Sequence, residues 1–126
     1  MNNQAIFCVT EKGIEIAKQI DEKIPSDIFV IEKFNKNFGI SFTSLKDIVS
    51  ENFLKYKYLI FIMATGIVTR IIAPYILRKD IDPAVISIDE GRNFVIPLLS
   101  GHLGGANNKS KEISDILNSI PVITTA

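Results

Sequence analysis

Tyr58-Leu59-Ile60-Phe61-Ile62-Met63-Ala64-Thr65-Gly66 is the stretch whose reading decides the fold. Tyr58 to Met63 is continuously apolar. The run is far too short for a membrane span, and it lacks the polar alternation of a strand with one wet face. It fits a strand buried on both faces, which belongs in a parallel sheet covered by helices. The chain then turns abruptly. Thr65 is a capping residue by type, and Gly66 opens a helix. Ile67, Val68, Ile71, Ile72, Tyr75 and Ile76 give that helix a broad apolar face. Pro74 cannot bond the Arg70 carbonyl, so the helix kinks or ends nearby. Strand, glycine turn and helix in that order form the repeating unit of an α/β fold.

Working towards the N-terminus, Ala5 to Val9 reads as a first strand, and Thr10 as the cap of a helix carrying Ile14, Ala17, Ile20 and Ile24 inward. Pro25 and Ser26 stop it. Ile28 to Ile31 is a second strand. Glu32 to Phe42, rich in Asn, Lys and Phe, reads as a loop. Ser44 and Asp47 resemble a capping box ahead of Leu45, Ile48, Val49 and Phe53. Towards the C-terminus, Ala84 to Ile88 and Phe94 to Leu99 are strands joined by Asp89-Glu90-Gly91-Arg92-Asn93, which predicts a hairpin. A helix follows from about Gly105 to Asn118, and Val122-Ile123-Thr124 is a last strand. The expectation is one α/β domain over residues 1–126. It is a three-layer, Rossmann-like sandwich with a mainly parallel sheet and an antiparallel hairpin.

Composition narrows the function classes. At 126 residues there is room for one domain, and the 14 basic and 14 acidic residues cancel, so nothing suggests a nucleic-acid surface. The single cysteine, Cys8, excludes an internal disulfide framework and a cysteine-based zinc site. No signal peptide or membrane span is visible, which makes the cytoplasm the expected compartment.

Ser100-Gly101-His102-Leu103-Gly104-Gly105-Ala106-Asn107 holds the only histidine and three of the seven glycines. A glycine-rich turn before a helix brings backbone N–H groups close to a ligand, and with the helix dipole makes an anion site. It also serves simply to pack helix on sheet. The spacing matches neither GxGxxG nor a P-loop. Arg70 lies about one turn from a helix start, where the dipole opposes a cation unless an anion is bound. Otherwise it is a surface arginine. Asp89 and Glu90 are either an acid–base pair or solvated turn residues. Cys8 sits mid-strand and reads as core.

Four phrases together carry a resemblance: Ala64 to Pro74, Asp82-Pro83-Ala84-Val85, Leu98 to Asn107, and Pro121 to Ala126. In order and spacing they resemble the N-terminal region of the cobalt-precorrin-5A hydrolase (CbiG) family of anaerobic cobalamin biosynthesis. The match is strong from about Ser44 onward and loose before it. The resemblance implies a hydrolase that opens the ring A δ-lactone of a cobalt corrinoid and releases acetaldehyde. It implies His102 as general base, with the Gly104 and Gly105 N–H groups serving the oxyanion. Thr65, Gly66, Arg70, Ser100, Gly101 and Asn107 would hold the substrate's carboxylates. The cobalt belongs to the substrate, so no cofactor or protein metal site is expected. Family members continue into a C-terminal domain, which makes this chain an N-terminal part and that domain a contact. A rival is a non-catalytic corrinoid-binding module, or an α/β domain for another anionic metabolite. On the catalytic reading, His102 faces a cleft shared with Ala64-Thr65-Gly66 at the carboxyl edge of the sheet.

Overall fold

The computed structural model describes residues 1–125, and in it the expected central strand is central. β4 (Tyr58–Ile62) lies between β1 (Gln4–Cys8) and β5 (Ala84–Ile88), parallel to both, with Ile60 level with Ile6 and Ile86. Leu59, Ile60, Phe61 and Ile62 are fully buried, as a strand without polar alternation must be. β1 also pairs in parallel with β2 (Asp27–Ile31), and β2 with β3 (Ile40–Phe42). On the other side β6 (Phe94–Leu99) runs antiparallel to β5, and β7 (Ile120–Pro121) is parallel to β6. The order across the sheet is β3-β2-β1-β4-β5-β6-β7.

The pleat divides the core in two. Ile6, Cys8, Ile60, Ile62, Ile86 and Ile88 pack beneath α1 (Glu11–Lys23) and α4 (Ala106–Leu117). Ala5, Phe7, Leu59, Phe61 and Val85 pack on the other face, beneath α2 (Leu45–Asn52) and α3 (Thr65–Ile72). There Phe7 stacks on Phe29 and Phe61, with ring centroids 5.1 and 4.8 Å apart. Thr10 and Ser44 cap α1 and α2 as expected, accepting from the Gly13 and Asp47 N–H groups. α3 gives way at Ala73–Tyr75 to a 3-10 turn, where Pro74 removes the next donor.

Three local expectations are corrected. The supposed loop before Thr43 contains β3. Gly39 lets that segment approach β2: a Cβ on it would lie 2.6 Å from the Ile28 carbonyl oxygen. The last strand is Ile120–Pro121, not Val122–Thr124, although the Val122 N–H still donates to the Val95 carbonyl at 2.9 Å. An edge position accommodates Pro121, which has no N–H to give. Thr65 is the first residue of α3 and not its cap; Ala64 holds the cap position and supplies no side-chain bond.

At the sheet end where the parallel strands begin, Asp27 accepts hydrogen bonds from the Tyr56 hydroxyl at 2.7 Å and the Asn2 amide at 2.8 Å. Burial works to raise this carboxyl, but the bonds from Tyr56 and Asn2 together outweigh it and hold it below its ordinary value. A carboxyl depressed in the folded state stabilises above its unfolded pKa, and that contribution is lost as pH falls through the folded value. Asp27→Asn is therefore expected to flatten the acid limb of the stability–pH curve below about pH 4. Urea unfolding at a series of pH values checks this; an acid limb identical to the parent's would refute it.

Candidate functional site

β1 is flanked by β2 on one side and β4 on the other, so the chain changes direction across the sheet at this point. α1 leaves β1 over one face and α3 leaves β4 over the opposite face. The ends of β1 and β4 therefore border a crevice at the carboxyl edge, the usual ligand position in open α/β sheets. One lip is Thr10 and Gly13. A Cβ on Gly13 would lie 3.2 Å from Thr10 Oγ1 and 3.5 Å from Ile62 Cγ2, so glycine lets α1 start close against β4.

The other lip is the Ala64-Thr65-Gly66 turn. Buried Met63 anchors it through its carbonyl, which accepts from Ser87 Oγ of β5 at 2.9 Å. The Ile67 and Val68 N–H groups both donate to the Ala64 carbonyl, at 3.1 and 3.2 Å. The Thr65 and Gly66 N–H groups have no acceptor among the described residues, and both residues are exposed. Thr69 Oγ1 donates to the Thr65 carbonyl at 2.8 Å, which secures the first turn from its far side. Arg70 is exposed, and its guanidinium folds back towards the helix start: Nη1 lies 3.9 Å from where a Gly66 Cβ would be. Arg70 has no ion pair among the described residues. Two open N–H groups, the positive end of a helix dipole and an unpaired guanidinium converge here, an arrangement suited to a carboxylate.

The structure does not bring the histidine loop to this crevice. β6 is antiparallel to β5, with Ile88 opposite Val95 and Val85 opposite Leu99. The loop after Leu99 consequently lies at the amino edge, a full strand length from the Ala64-Thr65-Gly66 turn. This corrects the expected shared cleft. Most of the loop's residues hold the loop itself. Ser100 has φ 58° and Gly105 φ 84°, and the Ser100 and Gly101 carbonyls accept from the Ala106 and Asn107 N–H groups at 3.2 and 2.9 Å. The first donors of α4 are thus spent inside the loop. A Cβ on Gly104 would lie 2.5 Å from Ser100 Cβ, and one on Gly101 2.7 Å from Asn107 Oδ1. Asn107 Nδ2 donates to Thr125 Oγ1 at 2.7 Å, and Ser100 Oγ to the Asp82 carbonyl at 3.4 Å. His102 is exposed, without a hydrogen bond among the described residues.

The remaining candidates separate as well. Asp89 anchors the hairpin turn, accepting from the Asn93 and Phe94 N–H groups at 2.9 and 2.7 Å and from Asn93 Nδ2 at 3.0 Å. Glu90 is exposed and lines a groove with Lys12 and Gln19 of α1, on the sheet face opposite α3. Cys8 is fully buried, its thiol 3.6 Å from the Gly13 carbonyl, and burial pushes its pKa up to about 12. At neutral pH it is an inert core thiol. Among the described residues no group of three or more His, Cys, Asp or Glu is placed to hold a metal ion, and no helix is long and apolar enough to cross a membrane. Sequence reasoning missed Thr10, Gly13 and Ser87 as parts of the crevice. Thr10 follows closely on β1, as Ala64 follows on β4, and Gly13 lies in the first turn of α1, but only the strand order shows that these two turns face one another.

Fold and crevice define a doubly wound α/β domain with an open helix start at its switch point. The chain belongs to the family described as Cobalamin synthesis G N-terminal, whose model matches residues 47–126. Over 97% of its length it is 42% identical to a cobalt-precorrin-5A hydrolase of Salmonella typhimurium, the match covering 35% of that protein. It is 39% identical, again over 97% of its length, to a cobalt-precorrin-5A hydrolase of Priestia megaterium, covering 34% of it. The crystal structure of a cobalamin biosynthesis protein G homolog from Sulfolobus solfataricus superposes with a TM-score of 0.75 at 32% identity, over 97% of this chain and 36% of that one. The chain thus spans about a third of the length of the curated relatives it matches. These relatives also align through most of the first forty residues, beyond the part that carries the resemblance in motifs.

Proposed function

We propose that this chain is the corrinoid-holding N-terminal region of a cobalt-precorrin-5A hydrolase. In the complete protein the ring A δ-lactone of a cobalt corrinoid is opened by water and a two-carbon unit leaves as acetaldehyde. The observation that carries the reading is the open start of α3, with Arg70 folded over Gly66 at the switch point. A corrinoid intermediate bears many carboxylates and matches such a site in charge and hydrogen bonding. The cobalt travels with the substrate. The chain's further contact is the region that follows it in the longer relatives. The test is a titration of the purified chain with a cobalt corrinoid bearing free carboxylates, followed by its visible absorption. Saturable binding that weakens with added salt is expected; absorption changes that never saturate would overturn the reading.

A second reading keeps His102 as general base. One observation favours it: the Gly104 and Gly105 N–H groups, two and three residues after exposed His102, have no acceptor among the described residues. The lactone would then react at the amino edge. In a full-length protein carrying this chain, His102→Asn is expected to cut acetaldehyde release about a hundredfold on this reading. Near-normal release by the folded variant would leave His102 no catalytic part.

A further inference from the structure

The amino edge of the sheet carries an exposed apolar groove. The segment after α2 leads directly into β4, and the segment after the Ala73–Tyr75 turn leads into β5, so both lie at this edge. Between them is a groove of about 450 Å³, walled by Phe53, Leu54, Pro74, Tyr75 and Leu77. Leu54 and Leu77 are 65% and 68% exposed. Ser50, Glu51 and Lys55 give it a polar rim. The Asp82 carboxylate accepts from the Leu77 N–H, and the Asp82 carbonyl accepts from Ser100 Oγ, so Asp82 ties the Leu77 segment to the loop after β6, and exposed Ile81 and Leu103 belong to the segments it joins. An exposed apolar patch with a polar rim is the pattern of a protein contact surface.

The family's length says what covers it. The curated relatives carry about two thirds of their sequence outside the matched region, and that region is N-terminal in the family. After β7 the backbone runs alongside β6 towards this same edge, where Asn107 holds Thr125. Polypeptide that continues in the relatives therefore emerges at the same edge of the sheet as the groove. We propose that the amino edge, centred on Leu54 and Leu77, is the surface against which the remaining region of the family's proteins docks through aliphatic side chains. The carboxyl-edge crevice stays open on the opposite end. The inference rests on family membership and does not depend on the corrinoid site.

The test uses a full-length chimera in which this chain replaces the matched third of the Salmonella typhimurium relative, without any corrinoid. Amide hydrogen exchange at residues 53–55 and 76–77 is compared between the chimera and the chain alone. Exchange at least about tenfold slower in the chimera is expected. Leu54→Glu with Leu77→Glu should return it to the rate of the separate chain, with an unchanged circular dichroism spectrum. If that pair unfolds the chain, the milder Leu54→Gln with Leu77→Gln replaces it. Equal exchange in both proteins overturns the proposal, as does a chimera that stays unfolded. Protection in the separate chain that grows with its concentration makes the occupant a second copy and overturns it too. Failure of corrinoid binding with this protection intact would sink only the proposed function, and the converse result only the docking surface.

Discussion

Arg70→Ala is expected to weaken binding of a carboxylate-bearing cobalt corrinoid by about ten- to a hundredfold while leaving stability unchanged. A hydrogen bond to a charged partner contributes about 1.5–3 kcal/mol, which sets that range. The stability half follows from the surroundings. Arg70 is exposed and makes no ion pair among the described residues; it sits in the last turn of α3, and only its guanidinium, not its backbone, lies towards the helix start at Gly66. Its removal gives up no ion pair, and an exposed charge of this kind contributes little to folding. Arg70→Lys should recover only part of the affinity, because an ammonium cannot reproduce the two-pronged grip of a guanidinium. Parallel titrations and thermal melts of the three proteins decide the matter. Equal affinity in all three would reduce Arg70 to a surface residue.

The other large effect concerns the sheet. Phe61→Ala is expected to cost about 3–5 kcal/mol, the usual range for emptying a buried aromatic position. Phe61 is fully buried on the central strand, and its ring stacks on Phe7, which stacks in turn on Phe29. Removing it opens a cavity beneath α2 and α3 and leaves one face of Phe7 without a partner. Against a total stability of about 5–15 kcal/mol, the variant stands near the threshold of unfolding. Phe61→Leu, which refills much of the volume, should recover most of the loss. Urea midpoints measure both; an alanine variant within about 1 kcal/mol of the parent would mean that the core closes over the gap.

The sequence shows the parts of this fold more clearly than their assembly. Tyr58 to Ile62 is legible because burial on both faces leaves no polar position. The caps at Thr10 and Ser44 are legible because the signal is local: a side-chain oxygen three residues before a free N–H. β3 escapes because its residues are mixed in polarity, and its place depends on Gly39 meeting a distant carbonyl. β7 escapes because Val122-Ile123-Thr124 has better strand composition than Ile120-Pro121, while the pairing partner in β6 decides the outcome. The candidate site divides in the same way. The turn at Thr65 and Gly66 and the position of Arg70 can be read locally. That Thr10 faces them depends on the strand order, which no local pattern encodes. The misplacement of His102 has a simple cause. One antiparallel strand moves the following loop to the other end of the sheet, so the hairpin itself implied the amino edge.

The position of β1 bears on how the chain is made. β1 is made before the other six strands described and lies in the interior of the finished sheet, with β2 on one side and β4 on the other. β2 follows closely in sequence and can join early, but the partner for the opposite edge comes from the middle of the chain. Until Tyr58–Ile62 has left the ribosome, Gln4–Cys8 offers a row of unpaired backbone groups flanked by apolar side chains. The nascent chain is therefore open to wrong pairing at β1 until β4 arrives, and the exposed edge then passes to β4 until Ala84–Ile88 follows.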